Sequence, residues 1–195
     1  SHWSLTENPG HLRIVSQSGG FSGGFDVKNI LIQPAPAGDF EAVTEVAFLP
    51  TQNFQTATII VYEDDRNFFY VGRRYHSSFG GCSVAAASWH AGSLLEDGVP
   101  VPCNLSPTRL KIIKSDNTYW GLYQDEEGSW IEICEWEIGI SADYLGLEAH
   151  NGHASAAAEI PADFNFIHVT PSPSLDLPIS YSNFAQATQG NVNGR

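Results

Sequence analysis

Residues 40–48 read Phe-Glu-Ala-Val-Thr-Glu-Val-Ala-Phe, and this stretch decides the fold class. Every second residue falls on one side of the segment, which collects Phe40, Ala42, Thr44, Val46 and Phe48. The two glutamates between them point the other way. Because successive side chains of a β-strand lie on opposite faces, the pattern predicts a strand with one face in the core and the other partly in water.

The rest of the chain repeats this design in shorter runs rich in Val, Ile, Tyr, Phe, Trp and Thr, separated by turns such as Asn8-Pro9-Gly10 and Asn151-Gly152. Such spacing is typical of an antiparallel sandwich or barrel, and eleven strands suffice for two stacked sheets. The alanine run 154–158 is predicted to be a loop, since it is short and Pro161 follows it. The predicted strands are 12–16, 29–33, 40–48, 56–62, 67–73, 82–89, 109–114, 118–124, 130–136, 144–149 and 164–169.

Composition limits the partners that the protein can have. The 22 acidic residues outnumber the 9 Lys and Arg, for a net charge of −13. Such a field repels phosphate backbones and anionic membranes, so neither nucleic acid nor a membrane is expected as a partner. We expect one β-sandwich domain over residues 1–169, followed by a Pro/Ser/Asn-rich tail or linker over 170–195 that packs on its own domain or on a neighbouring molecule.

The cysteines and the start of the chain bear on where the protein works. Cys82, Cys103 and Cys134 allow one disulfide in three pairings, of which Cys82–Cys103 is favoured because both residues lie near loops. Small buried thiols are the alternative. The chain begins at Ser1 and contains no Met, which indicates a processed mature chain or an excised fragment from which any signal peptide is gone. The start of the chain therefore does not decide the compartment, and the expectation of a secreted or extracellular protein is indirect.

The opening segment 3–14, with Trp3, a Pro9-Gly10 turn and a Leu-Arg strand, resembles the C-terminal β-sandwich that follows the catalytic propeller in family 43 β-xylosidases. Four further segments resemble that module in the same order: 29–41, 48–55, 60–68 and 125–130. The resemblance runs from Trp3 to about Val169. It implies an all-β, two-sheet antiparallel jelly-roll sandwich of the concanavalin-A-like lectin and glucanase superfamily, with an irregular C-terminal tail. The chain lacks the catalytic propeller, and its tail extends beyond the point where such modules end.

Sugar recognition needs flat aromatic surfaces for the rings and polar side chains for the hydroxyls. Alternation sends Leu145, Leu147 and Ala149 inward and leaves Glu148 and His150 on the other face, where they can line a groove. Packing in the core is the competing role for each Trp and Tyr. The predicted carbohydrate-binding residues are Tyr62, Arg73, Tyr75, Trp89, Trp120, Glu148 and His150.

No catalytic residue is predicted. A glycosidase needs two carboxylates facing each other across a cleft. Glu132 falls on the opposite face of its strand from Glu135 and Glu137, so the three form no single row. A structural calcium ion is the cofactor that the resemblance implies, and Asp163 matches a position near the final strand where such modules place an acidic residue.

These patterns favour a non-catalytic carbohydrate-binding or accessory module of an extracellular glycan-degrading system. Its expected partners are a polysaccharide or oligosaccharide and a catalytic domain or copies of itself. Two alternatives stay open. One is a structural subunit whose tail adds a strand to a neighbour's sheet; the other is a stand-alone glycan hydrolase or lyase.

Overall fold

The computed structural model describes residues 2–21 and 23–171. Within them the chain forms thirteen strands and a single 3-10 turn, Ser77–Phe79, and no α-helix. No helix of the described residues has the length and apolar character needed to cross a membrane. The strands are β1 (Trp3–Ser4), β2 (Leu12–Val15), β3 (Leu31–Pro34), β4 (Phe40–Ala47), β5 (Thr56–Asp64), β6 (Asn67–His76), β7 (Gly81–His90), β8 (Ser93–Pro100), β9 (Thr108–Ser115), β10 (Thr118–Gln124), β11 (Trp130–Glu137), β12 (Tyr144–His150) and β13 (Pro161–Pro171).

The strands form two sheets. Sheet A has seven strands in the order β1-β2-β13-β4-β9-β10-β11, and sheet B has six in the order β3-β12-β5-β6-β7-β8. Every pair of neighbouring strands is antiparallel. The two-sheet antiparallel sandwich that the sequence predicts is confirmed, and each of the eleven predicted strands is present.

Two strands escape prediction, and both lie at the edge of a sheet. The short β1 ends sheet A, and β8 ends sheet B with mostly exposed side chains. Segment 93–100 contains Glu96, Asp97, Gly98 and Pro100, which are residues that β-strands usually disfavour. An edge strand tolerates them because one side of its backbone faces solvent.

The core lies between the two sheets and is built by alternation. In β4, Phe40, Ala42 and Val46 are fully buried, while the residues between them are half-buried. Thr44 is the one polar side chain in this inward row, and its hydroxyl donates to the Phe166 carbonyl at 2.6 Å. This bond removes most of the cost of burying a hydroxyl, so the row predicted from the sequence packs as one continuous face.

A second, smaller apolar layer covers the outer face of sheet B. Phe21 packs there against Phe68, with ring centroids 4.4 Å apart, and Val27 and Ile30 extend the cover. The segment that leads from β2 to β3 therefore shields the middle of the sheet from water. Burial on both sides accounts for the uninterrupted buried runs of β5 and β6, which contrast with the alternation of β4.

A disulfide joins Cys82, at the start of β7, to Cys103, in the connection between β8 and β9. Cys134 is free and buried, and burial raises the pKa of its thiol to about 12. The last strand passes the expected domain boundary at Val169 and ends at Pro171. The remainder of the predicted tail, 172–195, lies outside the described residues.

Candidate functional site

Six polar side chains gather on the outer face of sheet B, and we call them the outer-face cluster. Alternation places them there: inward residues such as Val71 and Leu147 belong to the core between the sheets, so their neighbours on β6 and β12 point outward. The members are Thr58 of β5, Tyr70 and Arg74 of β6, Glu96 of β8, and Glu148 and His150 of β12.

Glu148 and His150 form the most buried part of the cluster. Glu148 is fully buried, and both of its carboxylate oxygens lie 2.9 Å from Nδ1 of His150. Thr58 donates a hydroxyl hydrogen bond to Glu148 Oε2 at 3.4 Å. The carboxylate therefore fixes the imidazole, with Nδ1 as the donor, and leaves Nε2 free to face a ligand.

Arg74 has hydrogen-bonding capacity that the protein does not use. Its Nη1 donates to Glu96 Oε1 at 2.7 Å, and its guanidinium lies 4.5 Å from the centre of the Phe79 ring. Nε and Nη2 of Arg74 are buried and have no hydrogen-bond partner. Buried donors of this kind are costly unless water or a ligand accepts their hydrogen bonds.

An aromatic ring covers part of the site. Gly72 and Ala85, which have no or small side chains, lie side by side in the row of Cα partners that starts at Glu148 and Thr58. Phe21 is the covering residue, with its ring 6.0 Å from that of His150 in an edge-on arrangement. A hollow of about 20 Å³ is lined by Phe21, Phe68, Tyr70, Ala87, Leu94, Glu96 and His150. That is room for one water molecule.

Tyr70 closes one side of this hollow. Burial raises the pKa of its hydroxyl to about 12, against the opposing charge of Arg74. The phenol is therefore neutral at ordinary pH and offers both a donor and an acceptor.

Four of the seven predicted sugar-binding residues lie on this face. Glu148 and His150 are outward-facing neighbours, as their alternation predicts. Tyr62 and Trp89 lie on the same face but belong to its apolar layer. The Tyr62 hydroxyl donates to Asp65 at 2.6 Å, and the Trp89 ring stands edge-on to Phe25 at 5.1 Å.

The other three predicted residues do not lie on this face. Arg73 is fully buried on the inward side of β6, where it donates to the carbonyls of Pro102 and Cys103 at 2.9 and 3.2 Å. Tyr75 is on that same side and packs beside Gly81. Trp120 is on the outer face of sheet A, in a cluster with Ile113, Leu122 and Trp130.

Sequence reasoning missed Thr58, Tyr70, Arg74 and Glu96. The neighbouring Arg73 and Arg74 show the difficulty, because β6 is apolar on both faces and its pattern does not reveal which arginine points outward. Glu96 belongs to an edge strand that was not predicted at all.

The surroundings of Asp163 do not fit a calcium site. Its two oxygens accept hydrogen bonds from Nε and Nη2 of Arg13 at 2.7 and 2.8 Å, which puts a guanidinium where the cation would lie. Among the described residues, no three His, Cys, Asp or Glu side chains come together as a metal site. Asp163 therefore acts as the partner of an ion pair.

The carboxylates of β11 do not face one another across a cleft. Glu132 and Glu135 are exposed on the outermost strand of sheet A. A register shift beside Leu122 puts both on the outer face, so the expectation that they lie on opposite faces is wrong. Partial burial and the nearby Glu135 raise the pKa of Glu132. A two-carboxylate hydrolytic mechanism needs a substrate groove between its members, and β11 has no neighbouring strand on its outer side among the described residues.

The fold and the outer-face cluster define a lectin-like β-sandwich of two antiparallel sheets. A profile of the family described as the β-xylosidase C-terminal concanavalin-A-like domain matches residues 1–167. The chain belongs to this family. No curated protein sequence matches the chain.

Solved structures share the fold at low sequence identity. The GH43 protein BlXynB from Bacillus licheniformis is 19% identical with a TM-score of 0.77, and the match covers 87% of this chain and 34% of that one. This chain thus spans about a third of BlXynB. A functionally unknown protein from Saccharomyces cerevisiae is 13% identical over 86% of this chain and 91% of its own, with a TM-score of 0.67. The carbohydrate-binding module CBM66 from Bacillus subtilis is 11% identical over 86% of this chain and 89% of its own, with a TM-score of 0.52.

Proposed function

We propose that this protein is a non-catalytic carbohydrate-binding module that holds a glycan on the outer face of sheet B for a catalytic partner. The unpartnered Arg74 donors carry this proposal. Sugar hydroxyls accept hydrogen bonds from a guanidinium and donate to carboxylates such as Glu96. Aromatic rings beside these groups suit the apolar faces of a sugar ring.

The family and its structural neighbours support this proposal. BlXynB is described as a GH43 protein and CBM66 as a carbohydrate-binding module. Since this chain corresponds to about a third of BlXynB, the partner that we propose is a family 43 catalytic domain. The disulfide favours an oxidising compartment, and we expect an extracellular glycan-degrading setting on that ground.

Access to the cluster depends on Phe21. A free volume of about 20 Å³ is far smaller than a sugar ring, so a ring binds in the hollow only when Phe21 moves away. Gly19 and Gly20 precede Phe21 and Gly23 and Gly24 follow it closely, and glycine permits the backbone changes that such a movement needs. A bound ring would then take the place of the phenyl group against Phe68 and His150.

The test is electrophoresis of the purified chain in native gels that contain xylan, arabinan, levan, β-glucan or mannan. At least one polymer is expected to retard the wild-type protein. Arg74→Met and Glu148→Gln are each expected to weaken that binding about tenfold or more, because each removes a charged hydrogen-bonding group from the site. Trp130→Ala is the control, since Trp130 is an aromatic residue on the outer face of the other sheet.

The outcomes separate the possible binding faces. Loss of retardation with Trp130→Ala alone would move the sugar site to sheet A and contradict a site on sheet B. Retardation by none of the polymers would count against sugar binding as the main role. The same gels run with calcium and with a chelator test the calcium prediction.

A further inference from the structure

The C-terminal half of β13 in sheet A is paired on only one side among the described strands. β13 pairs with β4 as far as Pro171, but it pairs with β2 only over Pro161–Phe164. On the β2 side, no strand of the described residues pairs with 165–171. The backbone N–H and C=O groups that point in that direction are available to another extended segment.

An apolar groove lies beside this free edge. It consists of two adjoining hollows of about 300 and 180 Å³ that share Leu12, Leu147 and Ile167. Sheet B continues past the groove as β12 and β3, whereas no described strand of sheet A covers them there. Leu5 and Ile32 at its rim are 63% and 42% exposed. Within residues 2–21 and 23–171, this corner of the sandwich is therefore one strand short.

The unpaired edge of β13 and the apolar groove together define the kind of segment that binds there. The occupant must be extended, so that its backbone pairs with β13, and it must carry an apolar side chain at every second position to fill the groove. On β13 itself, Ile167 and Val169 are the residues that point toward the core.

The sequence that follows β13 has this pattern. Leu175, Leu177, Ile179 and Tyr181 alternate with Asp176, Pro178 and Ser180. Residues 172–195 lie outside the described part of the chain, and the pattern is one of sequence alone. The family profile ends at residue 167, so this segment is not part of what the family shares.

We propose that residues 175–181 bind in this groove of their own molecule, as a strand antiparallel to β13. A connection of three residues, 172–174, sets Leu177 opposite Val169 and Ile179 opposite Ile167. Residues directly opposite each other in antiparallel strands share a face, so both leucine and isoleucine point into the groove. Pro178 is tolerated because the added strand lies at the sheet edge.

The short connection favours the same molecule over a neighbour. A segment joined through three residues has an effective concentration in the millimolar range, well above that of a second copy in dilute solution. The proposal is independent of sugar binding, because the groove lies at the β3 end of the sandwich and shares no lining residue with the outer-face cluster.

Hydrogen exchange in the full chain tests the proposal. The amides of 167–170 that face the groove are expected to exchange slowly in the wild type, and about tenfold or more faster in Ile179→Asp. Ser180→Asp places the same charge on the opposite face and is expected to leave both the exchange and the melting temperature unchanged. Rapid exchange in the wild type, or equal effects of the two variants, would overturn the proposal.

Cross-linking identifies which molecule supplies the segment. In Val169→Cys/Leu177→Cys, a short bismaleimide is expected to give a cross-linked monomer, while Val169→Cys/Ser180→Cys reacts much less. A cross-linked dimer as the main product would overturn the intramolecular assignment and show that the tail of a neighbouring molecule binds in the groove. That outcome would support an assembly subunit.

Discussion

At the scale of single residues, Arg13 of β2 and Asp163 of β13 form a bidentate ion pair. The hydrogen bonds from Arg13 are the main reason that the pKa of Asp163 lies below its usual value, and the charge of Arg13 adds to the effect. A carboxyl with a lowered pKa in the folded state stabilises the fold at any pH above its ordinary pKa. That contribution disappears as the pH falls through the lowered value.

Asp163→Asn is therefore expected to reduce the free energy of unfolding by about 1–3 kcal/mol at neutral pH and by less at an acidic pH below the ordinary pKa of the carboxyl group. Urea denaturation at the two pH values measures the difference. Glu7→Gln is the matched control, because Glu7 is 62% exposed and its carboxylate lies 3.9 Å from Arg13. A chelator that destabilised the wild type as much as Asp163→Asn does would instead favour calcium at this residue.

Single residues of the outer-face cluster differ in whether the sequence alone predicts them. Glu148 and His150 were predictable because the apolar residues between and before them set a clear alternation. Arg74 was not, because the outer face of β6 is covered by the distant segment around Phe21, and no local pattern reports that contact. A strand that is covered on both sides loses the period of two on which such predictions depend.

At the scale of elements, the pairing of β3 with β12 depends on a glycine. Gly146 lies opposite Ile32, and a methyl group at Gly146 would overlap the carbonyl oxygen of Leu31. Because this neighbour is backbone, it cannot move aside without shifting the whole strand. The β3 edge, and with it one wall of the apolar groove, therefore requires glycine at this position.

Gly146→Ala is expected to lower the free energy of unfolding by about 1–3 kcal/mol and to speed hydrogen exchange in β3. Gly139→Ala is the control, since the nearest atom to its added methyl group is Nε2 of His90 at 3.2 Å, at the end of a side chain. Equal stability of the two variants would show that β3 yields easily and that its pairing is not constrained by Gly146.

Elements differ in how well the sequence predicts them. The central strands carry enough Val, Ile and aromatic residues to be located within a few positions, and β4 even shows which face is buried. β8 was missed because its stability comes from pairing along β7 and not from its own composition. Edge strands are defined by their neighbours, which the sequence alone does not place beside them.

At the scale of the whole molecule, the disulfide links sheet B to the connection between β8 and β9, where the chain crosses from sheet B to sheet A. Cys82 is the second residue of β7 in sheet B, and Cys103 lies in the connection that leads to β9 of sheet A. The two residues are separated by 21 positions. Arg73 donates hydrogen bonds to two carbonyls of the same connection, so the disulfide is not its sole restraint among the described residues.

Cys82→Ser/Cys103→Ser is expected to lower the free energy of unfolding by about 3 kcal/mol, from the entropy that the unfolded chain regains when a loop of this length is opened. The variant is expected to unfold in one cooperative transition, since Arg73 still restrains the crossing. Chemical denaturation followed by tryptophan fluorescence measures both. Two separate transitions would mean that the disulfide, and not the shared core, couples the sheets.

The two long outer edges of the sandwich carry their own negative charge. β11 exposes Glu132, Glu135 and Glu137, and β8 carries Glu96 and Asp97. Copies that approach edge to edge therefore bring like charges together and are repelled before their strands can pair. The colloidal stability of the protein thus depends on pH: it is high in neutral solution and lowest near the isoelectric point of about 4.7, where crowded molecules lose this mutual repulsion.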